Sequence, residues 1–396
     1  MIFQSLAPQF NFNEALKHLF SGGEEEDANA LKNHLLEKYE GKSVELYGKG
    51  RAALAEAVII ATSGEGRVLV TGLTCNSVEQ AVTAAGCRPI FVDISYKDLQ
   101  FSKKSLTKAF EDYSDIKAII IQNTLGVPAD ISFIKQIART HNIVIIEDLA
   151  HSIGSKYLTG SEMGTVGDIT MLSFGRDKAV DVTNGGAIIL RKEFNHRIRK
   201  PHNMPSSKNQ TRDRIYPLFA NVARFLYPIG LGRFVIAWFY KSGWAVKSAD
   251  GKVNMDIAMT NWQAKEALEK LQNIEQTVKH RQKITKKIYD EIHLSPITSA
   301  TYENASIIRV PFVVENRHEV LQALKSEGIF LEDVWYDSPV SPRRYLKDSS
   351  FVRSEAPNAI KISNEIINIP TYKNISPSDV EKIALIINRT AKDVKH

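Results

Sequence analysis

The 396-residue chain reads as an α/β protein, a mostly parallel sheet flanked by helices with a smaller C-terminal α+β part. Two patterns predict this. From Arg67 to Leu190, short β-rich runs alternate with helical stretches. Runs such as Val144-Ile145-Ile146 are apolar without interruption, as strands covered on both faces require.

In order, helical pieces are expected at Asn13–Phe20 and Glu26–Glu40, where leucines recur at helical spacing. A strand at Val44–Tyr47 leads into a helix at Arg51–Ala61. Strands follow at Val68–Thr71, Pro89–Asp93, Ala118–Gln122, Ile143–Glu147, Ile169–Phe174 and Ala187–Leu190. Between them lie helices at Ser77–Ala85, Lys103–Asp112 and Ile131–His141. A basic, aromatic segment at about 200–250 interrupts the pattern, and one long amphipathic helix is expected over Met259–Ile292. Ile307–Val314 and Ile366–Ile369 read as strands. Ser376-Pro377-Ser378-Asp379 opens the last helix with Ser as N-cap and Pro at the first helical position. The expected domains are 1–254, which includes the insertion, and 255–396.

Composition is ordinary for a globular protein, with 43% apolar and 24% charged residues, which excludes disorder and collagen-like repeats. Cys75 and Cys87 are too few for a disulfide framework or a zinc site. No basic patch precedes an apolar stretch at the start, so no signal peptide is expected, and the reading is cytoplasmic. Residues 191–252 hold thirteen Lys/Arg and three Asp/Glu, a surplus of ten against +6 for the whole chain. Basic character confined to one segment argues against a nucleic-acid binder and for a local anionic partner.

Four features point to chemistry. Gly48-Lys49-Gly50-Arg51-Ala52-Ala53 joins a strand to a helix start, where backbone N–H groups can meet a phosphate and Arg51 can add a charged contact. The plain alternative is an ordinary helix start. Glu147-Asp148 ends a buried strand, where α/β sheets place their ligands, although a strand-end Asp also caps turns. His151 follows three residues on, and lone histidines are often core residues. Lys178 lies between the strand end Ser173-Phe174 and Gly185-Gly186. There it is either a solvated loop lysine or an amine held in a cleft, where burial makes it a carbonyl nucleophile.

Taken together, these motifs resemble the DegT/DnrJ/EryC1/StrS aminotransferases, pyridoxal-phosphate enzymes of fold type I that act mainly on nucleotide-linked keto sugars. The resemblance rests on Glu147-Asp148-Leu149-Ala150-His151 with Gly154 and Tyr157, then Gly167-Asp168, Ser173-Phe174, Lys178 and Gly185-Gly186. It continues at Gly50–Leu54, Thr74, Ala84–Asp93, Asn123–Asp130, Gly251–Asn254, Gln263–Leu271 with Arg281, and Asn368-Ile369-Pro370, covering most of the chain except 192–250. The resemblance implies that Lys178 forms the Schiff base and shuttles the proton, that Asp148 pairs with the pyridine nitrogen, and that His151 sits by the cofactor ring. It implies that Ser173 and the Gly50–Ala52 backbone hold the phosphate. It also implies that Asn254 reaches the phosphate from a second subunit, so that a homodimer shares its sites. The chain departs from the family pattern at three positions. Cys75 stands where an aromatic residue often stacks on the cofactor, Arg51 where Thr is commoner, and Asp256 where an arginine is usual. Lys178 sets the chain apart from the family's lysine-less dehydratases.

The reading is an aminotransferase moving an amino group from an amino acid, glutamate as donor, to a keto sugar, nucleotide-linked. No metal is called for. Two rivals stay open: another pyridoxal-phosphate reaction on the same lysine, such as elimination or racemisation, and a non-catalytic membrane-surface binder with this fold. The segment 212–247 bears on the second. Nine of the 33 residues Arg214–Val246 are aromatic, and basic residues break every apolar run before it can span a bilayer. Pro217, Pro228, Gly230 and Gly232 divide it into helices at about Leu218–Leu226 and Arg233–Trp244. Its aromatics then either meet the inner membrane surface or pack on the protein's own core or dimer interface.

Overall fold

The computed structural model describes every residue except Ser248, 298–302, Asn304, Asp333 and 395–396. Seven strands form the central sheet in the order Ser43–Tyr47, Gly186–Leu190, Ile169–Ser173, Val144–Asp148, Ile116–Ile121, Arg67–Thr71, Arg88–Val92. Gly186–Leu190 runs antiparallel to both neighbours, and the remaining pairs are parallel. Alternate side chains enter two cores. Ile119, Ile121 and Ile145 pack with Leu31 and Leu35 of the helix Glu25–Lys38 on one face. Val68, Val70, Ile120 and Ile146 pack on the other against the helix Gly50–Thr62, of which all residues but Ile59 and Ala61 are buried. At about 1.5–3 kcal/mol for each fully buried Ile or Val, this double cover is why the strands are apolar on both sides.

The small domain pairs Arg309–Val313 antiparallel with Ile366–Pro370, under helices Ile274–Glu291, Arg317–Ser326 and Pro377–Thr390. Ser376 caps the last helix by accepting the Asp379 N–H at 3.2 Å, a capping box completed by the Asp379 side chain. One expectation here needs correction. The single helix over Met259–Ile292 is two helices, Asn261–Gln272 and Ile274–Glu291, parted at Asn273 (φ −105°, ψ 15°). The first of them packs on Glu25–Lys38 and sends Ala264, Ala267 and Leu271 into the large-domain core. The chain's start pairs with its C-terminal part, Ile2–Phe3 running parallel to Ile329–Phe330.

The insertion forms a helical hairpin, Ser207–Phe225 and Leu231–Lys241. Its first helix starts about ten residues earlier than Pro217 suggests, because Ser206 caps it, accepting the Asn209 N–H. Pro217 has no N–H for the Asp213 carbonyl, which instead lies 3.2 Å from His18 Nε2. The inner face of the hairpin packs Tyr216, Phe219 and Phe239 onto Phe10 and Ala15, with the rings of Phe219 and Phe239 stacked 3.5 Å apart. Among the described residues, no helix is long and apolar enough to cross a membrane.

Candidate active site

Asp148 ends one strand of the sheet, and Lys178 follows the end of its neighbour, Ile169–Ser173, so sheet topology brings two distant charges together. Both line a cavity of about 550 Å³, together with Gly50, Cys75, His151 and Ser173. Arg51 also reaches this wall. Ala52 and Asn254 do not: Ala52 packs into the core with its N–H on the Lys49 carbonyl, and Asn254 is exposed, its Oδ1 accepting the Asp256 N–H.

The phosphate-sized end is a close meeting of backbones. A Cβ on Gly50 would come within 2.6 Å of Ser173 Oγ, and one on Gly186 within 2.6 Å of the Gly50 Cα. Glycine at both positions lets the N-terminus of Gly50–Thr62 sit directly beside the Ser173 hydroxyl, where the helix dipole favours an anion. The Arg51 guanidinium is engaged by Gln80 Oε1 at 2.7 Å and by the carbonyls of Ala249 and Gly251, so it also ties down the end of the insertion.

The other end is electrostatically strained. Burial lowers the Lys178 ammonium pKa, and the nearby Arg309 lowers it further against the opposing pull of Cys75 and Asp148. Burial raises Asp148 to about 6, partly offset by the Ala150 N–H at 2.9 Å and by Lys178. Burial, then Lys178, Arg309 and Arg281, holds His151 well below its usual value, so the ring is neutral. Its Nδ1 accepts the Leu125 N–H at 3.1 Å, which puts the ring proton on Nε2. Leu125 is left-handed (φ 58°), a strained conformation for a branched residue and the one that aims this N–H. The Lys178 loop is fixed from both sides. Asp181 accepts the Asp177 and Thr183 N–H groups at 2.8 Å, and Gln9 donates to the Lys178 carbonyl at 2.7 Å. Glu147 points away from the cavity and accepts from Tyr157 Oη and the amides of Gly164, Val166 and Gly167. Of the acidic pair, one member builds the loop and the other faces the site.

Several wall residues escape the sequence reading. The Trp335 ring lies parallel to His151 with centroids 4.9 Å apart. Lys178 Nζ sits 4.5 Å and the Arg309 guanidinium 3.8 Å from its centroid. Tyr336 Oη lies 3.5 Å from His151 Nδ1. These come from small-domain loops and strands with no motif of their own. The one available signal is the Trp335-Tyr336 pair in a Pro-containing loop too aromatic for a plain turn. Lys49, Arg176, Lys247 and Arg344 add positive charge to the same cavity. Arg176 is braced over the Tyr216 ring at 3.6 Å and donates to the Val246 carbonyl.

A half-buried lysine of lowered pKa, a strand-end carboxylate and a glycine-cleared helix N-terminus around one cavity fit pyridoxal phosphate, and the fold is that of a type I enzyme using this cofactor. The DegT/DnrJ/EryC1/StrS aminotransferase family model matches residues 48–388, and the chain belongs to that family. It is a pyridoxal-phosphate-dependent aminotransferase by that membership. Among relatives, it is 31% identical to GDP-perosamine synthase of Escherichia coli O157:H7 over 167 residues, 40% of this chain and 45% of that one, so this match spans less than half of the relative. It is 23% identical to the spore coat polysaccharide biosynthesis protein SpsC of Bacillus subtilis, over 84% of this chain and 81% of the relative. Among solved structures, a DegT/DnrJ/EryC1/StrS aminotransferase from Brucella abortus superposes with TM-score 0.67 at 19% identity, covering 96% and 93% of the two chains. A GDP-4-keto-6-deoxy-D-mannose-3-dehydratase of Escherichia coli with bound hydrated PLP gives 0.71 at 16%, covering 98% and 99%. At these identities the structural likeness speaks to fold.

Proposed function

We propose that the enzyme transfers an amino group from glutamate to a nucleotide-linked keto sugar, making an amino sugar for a surface polysaccharide or a glycosylated metabolite. The observation that carries this is the pairing of half-buried Lys178 with buried Asp148 in a cavity that Lys49, Arg51, Arg176, Lys247 and Arg344 also line. The first pair suits amine chemistry at a carbonyl, and the cations suit a diphosphate. The names of the relatives, a GDP-sugar synthase and a spore-coat polysaccharide protein, support the substrate class.

When bound, pyridoxal phosphate supplies an electron sink for the carbon that loses its proton. The chain's own residues do the rest. Lys178 Nζ, biased toward its neutral form, takes that proton and returns it to the acceptor carbon. The Asp148 carboxylate would accept the pyridine N–H. His151 and Cys75, which line the cavity, would lie beside the ring. Ser173 Oγ and the helix start at Gly50-Arg51 would hold the phosphate, while Ala52 stays in the core. Asn254, exposed in its own subunit, completes the partner's site in a homodimer.

The test is the absorbance of the purified holoenzyme before and after glutamate. Loss of the yellow pyridoxal band with glutamate alone, and its return on adding a nucleotide-linked keto sugar, is the expected result. Release of ammonia or of D-glutamate instead of an amino sugar would favour elimination or racemisation. Mixing Lys178→Ala with Asn254→Ala subunits should restore activity above either homodimer. No recovery after proven subunit exchange would place the site within one chain.

A further inference from the structure

The hairpin carries apolar residues on both sides of its second helix, and only one side is covered. In Leu231–Lys241, Gly232, Val235, Ile236 and Phe239 face the protein. Leu231, Phe234 and Trp238, at the spacing i, i+3, i+7, form the outer stripe. Phe234 is 73% and Trp238 63% exposed. At the end of the first helix Phe225 is 82% exposed, and Ile229 in the turn 68%. A helix that is apolar all round belongs inside something. The hairpin is also held in place, so this stripe is not a loose end. Tyr227 in the turn packs edge-on against Phe3 and Phe330, and Arg224 donates to the Phe10 carbonyl.

Charge identifies the occupant. From Arg214 to Ala249 the sequence has five Lys or Arg and no Asp or Glu. Arg233 and Lys241 are exposed on the helix that bears the outer stripe. A protein partner could cover the apolar stripe, but a hairpin whose own charges from Arg214 to Ala249 are all basic, around exposed Trp and Phe, matches the boundary between acyl chains and anionic headgroups. We propose that the outer face of the hairpin, Phe225, Ile229, Leu231, Phe234 and Trp238 with Arg233 and Lys241, docks the enzyme peripherally on an anionic membrane surface. Docking does not depend on the identity of the sugar. Because Tyr216, Tyr240 and Lys247 of the same insertion line the catalytic cavity, it places the cavity close to the lipid surface.

The experiment is flotation of the full-length holoenzyme with vesicles of phosphatidylcholine alone and of phosphatidylcholine mixed with phosphatidylglycerol, with molecular mass by light scattering in parallel. The intact enzyme should float with the mixed vesicles and stay in solution with the neutral ones. Phe234→Ser with Trp238→Ser should lower the bound fraction at least tenfold, and Arg233→Gln with Lys241→Gln severalfold. Both variants should keep wild-type mass and cofactor absorbance, since all four side chains are exposed. The proposal is overturned if the intact enzyme stays in solution with both vesicles. It is equally overturned if the Phe234→Ser, Trp238→Ser variant loses mass without losing flotation, which would assign the face to a second copy of the chain.

Discussion

The cavity is walled by two regions that treat their polar and apolar groups in opposite ways. At the sheet ends three carboxylates, Glu147, Asp148 and Asp181, are buried and held. Glu147 is fully buried with four donors, Asp148 has the Ala150 amide, and Asp181 pins the Lys178 loop. The hairpin commits only half of its surface, burying Tyr216, Phe219 and Phe239 and leaving Phe225, Phe234 and Trp238 in water. A buried polar group without a partner costs about 1–3 kcal/mol, so the sheet wall tolerates almost no alternative residue. The outer stripe costs the fold nothing to change, and what constrains it is whatever touches it.

The largest test of that contrast is Lys178→Ala. It should leave pyridoxal phosphate bound through the phosphate end, without the yellow band, and cut turnover by several orders of magnitude, because the covalent route is lost. Retained turnover would remove the lysine, and with it the meaning of the sheet wall. Asp148→Asn should keep the cofactor and slow glutamate turnover about 10²–10³-fold, the usual loss when one preorganised electrostatic partner is removed. A normal rate of band loss with glutamate would show that Asp148 does not hold the pyridine proton.

Within the hairpin the contrast can be read as stability. Phe219→Ala removes a buried ring stacked on Phe239 and should cost about 3–5 kcal/mol in urea unfolding. Phe225→Ala, on the outer face, should stay within about 0.5 kcal/mol. Equal losses at the two positions would mean that the outer stripe is also buried in the working protein.

Legibility in the sequence follows the same division. The sheet strands and the Asp148–Lys178 pair are readable because parallel strands need uninterrupted apolar runs and both residues follow strand ends, within the single stretch Val144–Gly186. The break at Asn273 is hidden because both flanking helices are amphipathic and nearly collinear in pattern, so only their different packing partners separate them. Pro217 misleads for a specific reason: the carbonyl it orphans is reached by His18, about two hundred residues away in sequence. Trp335 and Arg309 are invisible locally, because the small domain delivers them to His151 and Lys178 through tertiary packing alone.

The smallest effect isolates how differently the two regions use charge. Arg309 is buried and acts on Lys178 through a medium that screens poorly, whereas Arg233 stands in solvent, where counterions weaken its field within about 10 Å. The neutral amine is the form that captures pyridoxal phosphate, and a like charge nearby favours that form. Arg309→Gln removes the like charge, so the Lys178 pKa should rise and the pH profile for capture by the apoenzyme should move upward, by up to about one unit. Arg309→Lys keeps the charge and should keep the profile, even though the flat contact with Trp335 is lost. Arg233→Gln should leave it in place. Stopped-flow capture rates across pH decide the matter. If Arg309→Lys shifts the curve as far as Arg309→Gln does, Arg309 acts by holding Trp335 in position, and the electrostatic account of Lys178 fails.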